Sequence, residues 1–264
     1  MGKTIRLTTA QALVKFLTRQ MTLVDGKKLP VFAGVWAIFG HGNVVGIGEA
    51  LYGARKELPT YRAHNEQAMA HAAIAFAKGS RRRRMMACTT SIGPGASNMV
   101  TAAAVAHVNR VAGTAAARAM SSPTACPIPV LQQIEDFGDG TISANDCFKP
   151  VSRYFDRIAR PEQLIPALNR AMVVLTDPAE CGPVTLCHVP GRPGRGLRLS
   201  RKLLRGTNLG ATAAPAPMRH ELAEAIRVLK SAKKPVIIAG GGVLFSEASA
   251  HPGRIRRCSW HSRR

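Results

Sequence analysis

The chain has 264 residues, enough for one complete α/β domain and part of a second, and 46% of them are hydrophobic. Its net charge of +22 points to nucleic acid, yet the basic stretches lack interleaved aromatic side chains for base stacking and carry no nucleic-acid-binding signature. The sequence also lacks a run of 18 uncharged apolar residues and a signal-peptide pattern, so we expect a cytoplasmic protein without membrane contact.

Helices and short apolar strands alternate along the chain. Helices are predicted at about 9–21, 44–53, 66–79, 99–110, 160–175 and 220–234. Strands are predicted at 35–39, 85–90, 183–187 and 235–239, each a short apolar run. We expect Gly79 to be the C′ glycine that ends its helix. This alternation predicts an α/β fold with a doubly wound, mostly parallel sheet, followed by the start of a second α/β domain.

Several glycine-rich or polar segments follow the predicted strands. GHGN occupies 40–43, and SIGPG occupies 91–95. A third segment ends at Glu66, which opens a helix rich in alanine. Because sites in such sheets lie at the carboxyl ends of the strands, we expect these segments to gather at one edge. The six cysteines form no C-x-x-C pair, and the histidines show no metal-ligand spacing.

Three segments together resemble the thiamine diphosphate (ThDP)-dependent enzymes. They are HNEQAMAHAAIAFAKG at 64–79, IFGHGNVVGIGEAL at 38–51 and ACTTSIGPGASNMVTAAAVA at 87–106. Within that family the residues at 130–154 are similar to the hydrolases of inositol catabolism, which cleave a ring carbon–carbon bond of a cyclic trihydroxy-1,2-diketone. The resemblance implies domain limits of 1–187 for a pyrimidine-binding domain, 188–217 for a basic linker and 218–264 for the start of a central domain.

The resemblance implies a catalytic role for Glu66. The family's glutamate contacts N1′ of the cofactor's aminopyrimidine and promotes loss of the C2 proton from the thiazolium. We expect Glu66 to be buried, since its proton is shared with a ring rather than with water. The alternative is an acid that only complements the helix dipole, a contribution of about 0.3–1 kcal/mol.

The same resemblance implies cofactor or substrate contacts for further residues. The implied cofactor-binding residues are Gly40, His41, Gly42, Asn43, Glu66, Gly93, Pro94 and Gly95. Gln132 and Gln133 fall on the substrate side, although a solvated helix face explains them equally well. The alternative for each glycine turn is an ordinary strand-to-helix connection. GGG at 240–242 does not satisfy G-x-G-x-x-G, so a plain turn is favoured over a dinucleotide site.

The resemblance breaks at 111–128, 188–213 and 251–264, which are rich in Ala, Arg, Gly, Pro and Ser. Our hypothesis is that these segments are read out of frame, and the alternative is divergence into basic loops. The first of them replaces an expected internal apolar strand at 111–118 and has almost no strand character. Losing large core side chains there leaves the domain marginally stable or unfolded.

The family binds the diphosphate and Mg²⁺ through a C-terminal domain, which we expect to be absent from this truncated chain. The family's motif for these two groups is G-D-G followed by an asparagine. GDG at 138–140 lacks the matching asparagine and is not interpreted as that motif. The family also implies a homodimer or tetramer with the site between subunits, so the fragment is expected to be inactive alone. The alternatives are an acetolactate synthase-like carboligase or decarboxylase and, from another class, a basic nucleic-acid-binding protein.

Overall fold

A computed structural model describes residues 4–40, 43–116, 144–188, 196–200, 208–209 and 216–248. The chain divides into two compact units, residues 1–212 and 213–264. The strands of the first unit are β1 (Thr4–Thr8), β2 (Met21–Val24), β3 (Lys27–Pro30), β4 (Phe32–Ala37), β5 (Thr60–Tyr61), β6 (Met85–Thr89), β7 (Gly113–Ala116), β8 (Tyr154–Ile158), β9 (Pro183–His188), β10 (Gly196–Ser200) and β11 (Asn208–Leu209). Its α-helices are α1 (Thr9–Arg19), α2 (Glu49–Gly53), α3 (Glu66–Gly79), α4 (Pro94–Ser97), α5 (Val100–Val108) and α6 (Leu164–Thr176).

Six strands form the central sheet in the order β5-β4-β6-β7-β9-β8. Every neighbouring pair in that sheet is parallel. Strand β9 is buried along its whole length, as is β6, which is typical of strands covered on both faces. The predicted doubly wound α/β fold is therefore confirmed.

Two clusters of buried apolar side chains form the core of this unit. The larger one joins residues of α1 and α6, such as Phe16 and Leu168, to the sheet residues Phe32 and Val184. The smaller one joins Met69 of α3, Met99 and Phe148 to further sheet residues. Phe148 ends a 3₁₀ turn, Ala144–Phe148, and is completely buried. That turn contacts both α4 and α5.

Local capping explains where the first helix begins. Thr8 accepts a hydrogen bond from the backbone of Gln11, and the Gln11 side chain accepts one from the backbone of Thr8. This reciprocal capping box satisfies two donors that a helix start leaves unpaired. The predicted helix at 9–21 is thus confirmed, with an end at Arg19.

Two helix details differ from the sequence prediction. The segment predicted as a helix over 44–53 begins with a π-helical turn, Val44–Gly48, and becomes α-helical only at Glu49. Gly79 is the last residue of α3 rather than a left-handed C′ residue. The left-handed positions follow it at Arg81 and Arg82, so the chain turns on two arginines.

Two arginines of the run Arg81 to Arg84 donate hydrogen bonds to backbone carbonyls of other segments. The Arg82 guanidinium donates to the carbonyls of Arg110 and Pro178, each at 3.0 Å. Arg84 donates to the carbonyl of Pro30 at 2.9 Å. These contacts assign a structural role to Arg82 and Arg84.

The first segment in which the resemblance breaks does contribute a strand. Residues Gly113–Ala116 form β7, which pairs on one side with β6 and on the other with β9. The stretch therefore forms a strand at 113–116 although its sequence has almost no strand character. Backbone hydrogen bonds from two neighbours hold the strand, and strand preference depends strongly on such context.

Parts of the segment predicted as a basic linker also form strands. β10 pairs antiparallel with β1 over five residues, and β11 pairs parallel with β2. The unit boundary after residue 212 falls inside the predicted linker of 188–217. The domain limits given by the sequence stay a prediction.

The second unit contains α7 (Arg219–Ser231) and α8 (Gly241–Phe245). The strand predicted at 235–239 is not formed, which corrects the sequence prediction. Val236 is 86% exposed and Ile238 is 92% exposed. A strand needs a neighbour for its backbone groups, and the described residues of this unit provide none. No helix in the described ranges is long and apolar enough to cross a membrane.

Candidate functional site

The candidate site lies where the sheet connections change direction. From β4 the chain passes to β5 on one side, whereas from β6 it passes to β7 on the other. β4 and β6 are direct neighbours, so the loops that leave their carboxyl ends diverge from a shared point. Such switch points are the usual ligand-binding crevices of open α/β sheets.

Glu66 is the first residue of α3, which begins at the same edge. The helix is capped by Asn65, whose side chain accepts a hydrogen bond from the backbone of Ala68 at 3.0 Å. The Glu66 carboxylate Oε2 accepts a hydrogen bond of 2.9 Å from Nδ2 of Asn98. Glu66 is half-buried in the single chain, so it is less covered than the sequence analysis expected.

The loops after β4 and β6 interlock through Asn43. Its side-chain oxygen accepts a hydrogen bond from the backbone of Gly40 at 2.9 Å, and its amide donates to the carbonyl of Thr90 at 3.1 Å. Asn43 is only 1% exposed. A Cβ at Gly40 would overlap the side chain of Ser91. These contacts fix the two loops against each other, and they require glycine at position 40.

The turn after β6 brings small residues against Glu66. Gly93 has φ +60°, a conformation that favours glycine, and Pro94 then opens α4. A Cβ at Gly95 would lie 3.0 Å from Glu66 Oε1 and 3.0 Å from Thr90 Oγ1. The carboxylate, the hydroxyl and the Gly95 backbone therefore border one small space.

Three consecutive hydroxyl groups at the end of β6 are buried and have no hydrogen-bond partner among the residues that the structure describes. They belong to Thr89, Thr90 and Ser91, which we call the hydroxyl cluster. A buried hydroxyl without a partner costs about 1–3 kcal/mol, so each such group calls for an explanation. A bound polar molecule or ordered water at this edge would supply the missing partners.

The structure gathers most of the predicted site residues. Gly40 is hydrogen-bonded to Asn43, and Gly95 lies beside Glu66. Gly93 and Pro94 form the turn that leads from β6 into α4. His41, Gly42, Gln132 and Gln133 lie outside the described residues. Sequence reasoning missed Asn98, although it quoted the residue within the motif, and it missed the hydroxyl cluster. The described ranges contain no group of three or more His, Cys, Asp or Glu side chains suited to a metal ion.

Residues 33–112 match the family model described as the thiamine pyrophosphate enzyme, N-terminal TPP binding domain. A protein of Listeria monocytogenes serotype 4b named 3D-(3,5/4)-trihydroxycyclohexane-1,2-dione hydrolase is 48% identical over 246 residues. A Bacillus cereus protein with that name, numbered 1, is 46% identical over 247 residues. The alignments cover 93% and 94% of this chain but 38% of each relative. The matched range includes nearly all of β4, together with α3 and the turn after β6, and residues 33–112 are therefore identified as a thiamine pyrophosphate enzyme N-terminal TPP binding domain.

Proposed function

We propose that residues 33–112 form the aminopyrimidine half of a ThDP site, with Glu66 as its catalytic carboxylate. The observation that carries this proposal is the placement of Glu66 at the switch point. One of its oxygens is held by Asn98, and the other faces Gly95 and Thr90. The proposal also assigns cofactor contacts to Gly40, His41, Gly42, Asn43, Gly93, Pro94 and Gly95.

The donor set suits an aminopyrimidine ring. Glu66 Oε1 accepts no hydrogen bond from the described part of the chain, so it is available to a protonated ring nitrogen. The hydroxyl cluster offers donors and acceptors to polar ring substituents. Glycine at positions 93 and 95 lets a flat ring approach the backbone. When bound, ThDP supplies a carbon nucleophile that attacks a carbonyl group.

The chain's own residues would bind and orient that group. Glu66 holds, at Oε1, the proton that it shares with the ring, and Asn98 keeps the carboxylate in place. Asn43 ties the loops after β4 and β6 to each other, which limits their movement when the ring enters. Such fixed geometry contributes to catalysis because the reacting groups need no reorganisation.

The whole protein to which this chain corresponds is proposed to hydrolyse a ring carbon–carbon bond of a cyclic trihydroxy-1,2-diketone in inositol catabolism. The names of the aligned relatives support this hydrolase over an acetolactate synthase-like carboligase. Mg²⁺, a cytoplasmic location and substrate contacts from Gln132 and Gln133 belong to the same proposal.

A homodimer or tetramer is proposed as the working assembly. Glu66 is only half-buried in the single chain, and a carboxyl group that shares a proton with a ring needs protection from water. A second subunit over this edge would give that protection. Size-exclusion chromatography with light scattering, run with and without ThDP, tests the assembly.

Cofactor binding is tested by calorimetric titration of the chain with ThDP and Mg²⁺. Glu66→Gln is expected to weaken binding at least 10-fold, since it removes the acceptor charge. Glu49→Gln is the matched control, because Glu49 also begins a helix but lies outside the gathered site residues. If both variants lost the same ThDP affinity, Glu66 would act only as an acid that complements the helix dipole, and the proposal would be refuted.

The hydrolase assignment needs a separate assay. Cleavage of a diketone carbon–carbon bond by water yields a carboxylic acid, so turnover of the trihydroxycyclohexane-1,2-dione is followed by proton release. In the whole protein to which this chain corresponds, we expect release that depends on ThDP and is lost in Glu66→Gln. Tight cofactor binding by that protein without any release would leave the ThDP site standing and contradict the hydrolase assignment.

A further inference from the structure

We infer that Asn98 is a positioning residue that fixes the orientation of the Glu66 carboxylate, so that its second oxygen faces the ligand. The inference rests on the proposed ThDP function and adds a residue to which no role has been given. Asn98 Nδ2 donates to Glu66 Oε2 at 2.9 Å, across 32 residues of sequence. No other hydrogen bond to the Glu66 side chain is formed within the described ranges.

The two carboxylate oxygens of Glu66 have different surroundings. Oε2 is engaged by Asn98, whereas Oε1 lies on the side of Gly95 and the Thr90 hydroxyl. A glutamate at a helix start has several open rotamers, and a single fixed donor selects among them. With Asn98 in place, Oε1 is the oxygen presented to the space beside Gly95.

Asn98 is itself held firmly. Its backbone N–H donates to the carbonyl of Pro94 at 3.1 Å, which ties it to the turn that starts at Gly93. The flanking residues Ala96 and Met99 are 2% and 1% exposed. Met99 packs in the same buried cluster as Phe148. The donor therefore sits on a rigid junction between α4 and α5 rather than on a mobile loop.

An asparagine suits this role because its amide nitrogen only donates. Aspartate has nearly the same shape, yet at neutral pH it would place a second negative charge beside Glu66. Two adjacent carboxylates share one proton at a pH above the ordinary carboxyl range. The variant Asn98→Asp would thus regain a donor in acid and lose it as the pH rises.

The test compares ThDP affinity from pH 5.5 to 8 in the unchanged chain, Asn98→Ala and Asn98→Asp. We expect Asn98→Ala to lose about 10-fold at every pH. Asn98→Asp should lose more at pH 8 and recover at least 10-fold, relative to the unchanged chain, by pH 5.5. The control is Asn109→Asp, since Asn109 donates to Val105 at the far end of α5. A merely structural role for Asn98 gives no selective recovery in acid.

A second measurement needs no cofactor. The side-chain amide signals of Asn98, assigned by their loss in Asn98→Ala, should shift in the NMR spectrum of Glu66→Gln. Unchanged signals would overturn the inference. If the unchanged chain fails to bind ThDP, the proposed function falls, while the amide signals still decide whether Asn98 holds Glu66.

Discussion

Gly95→Ala is the sharpest steric perturbation of the candidate site. The new methyl group would lie 3.0 Å from Glu66 Oε1 and 3.0 Å from Thr90 Oγ1. Both distances are shorter than an ordinary van der Waals contact of 3.4–4 Å. Gly95 does not have a left-handed backbone, so the cost comes from these contacts and not from strain in φ. Asn98 holds the other carboxylate oxygen, which limits how far Glu66 can move aside.

The expected magnitude follows from two opposing effects. Added volume in a packed site costs about 1–3 kcal/mol, and replacing glycine by alanine returns about 0.4–1 kcal/mol through the unfolded chain. We therefore expect the free energy of unfolding, measured by urea denaturation, to fall by about 1 kcal/mol. ThDP affinity, measured by calorimetry, should fall at least 10-fold because the methyl group occupies the space beside Oε1.

Gly79→Ala provides the matched control at the other end of the same helix. No described atom lies within 4 Å of a Cβ at Gly79, so alanine should stabilise the helix by about 0.5–1 kcal/mol. ThDP affinity should not change in this variant. If Gly95→Ala bound ThDP as tightly as the unchanged chain, Glu66 Oε1 would not face the ligand, and our placement of the ring would be wrong.

Two further predictions concern the core. Phe148→Ala should lower the free energy of unfolding by about 3–5 kcal/mol, since the ring is completely buried; a loss below 1 kcal/mol in urea denaturation would show that the 3₁₀ turn is not packed as described. Burial raises the pKa of Cys88 and Cys187 from 9.0 to about 12, so iodoacetamide at pH 8.5 should label the exposed Cys147 and spare both. Since the folded thiols bind protons more tightly than unfolded ones, stability should fall as the pH rises from 9 toward 12. Peptide mass spectrometry reads the labelling, and rapid labelling of Cys88 in the folded chain would refute its burial.

Local sequence signals predicted where α1 and α3 begin. Thr8 and Asn65 are good caps, and the helices begin one residue after each of them. Capping depends on neighbouring residues alone, which explains why a single sequence suffices. The π-helical turn after Asn43 was not predicted, because its extra residue is accommodated by packing rather than by a local composition signal.

Strand prediction failed where pairing, rather than composition, decided the outcome. Gly113–Ala116 has little strand character, yet it forms a strand between β6 and β9. The run at 235–239 has strong strand character, yet its residues Val236 and Ile238 are exposed and unpaired with any described strand. Strand formation depends on neighbours that are distant in sequence, so apolar runs alone mispredicted both segments.

Within the site, the motifs identified Glu66 and the glycine turns but not their contacts. The Asn98–Glu66 hydrogen bond joins two elements that only the folded sheet brings together. The missing partners of the hydroxyl cluster are equally invisible in a sequence, because burial and pairing are properties of the fold. Thr and Ser at a strand end look like ordinary polar residues until their surroundings are known.

The hydroxyl cluster also has a consequence for protein engineering, because it lowers the stability of the ligand-free chain. Each buried hydroxyl without a partner costs the ligand-free chain about 1–3 kcal/mol, while an apolar residue of similar shape, as in Thr90→Val, carries no such cost. A screen that rewards heat resistance alone would therefore select against these hydroxyls early. Stability-guided redesign of this chain would remove the hydroxyl groups of the proposed ligand site while leaving the sheet and its core intact.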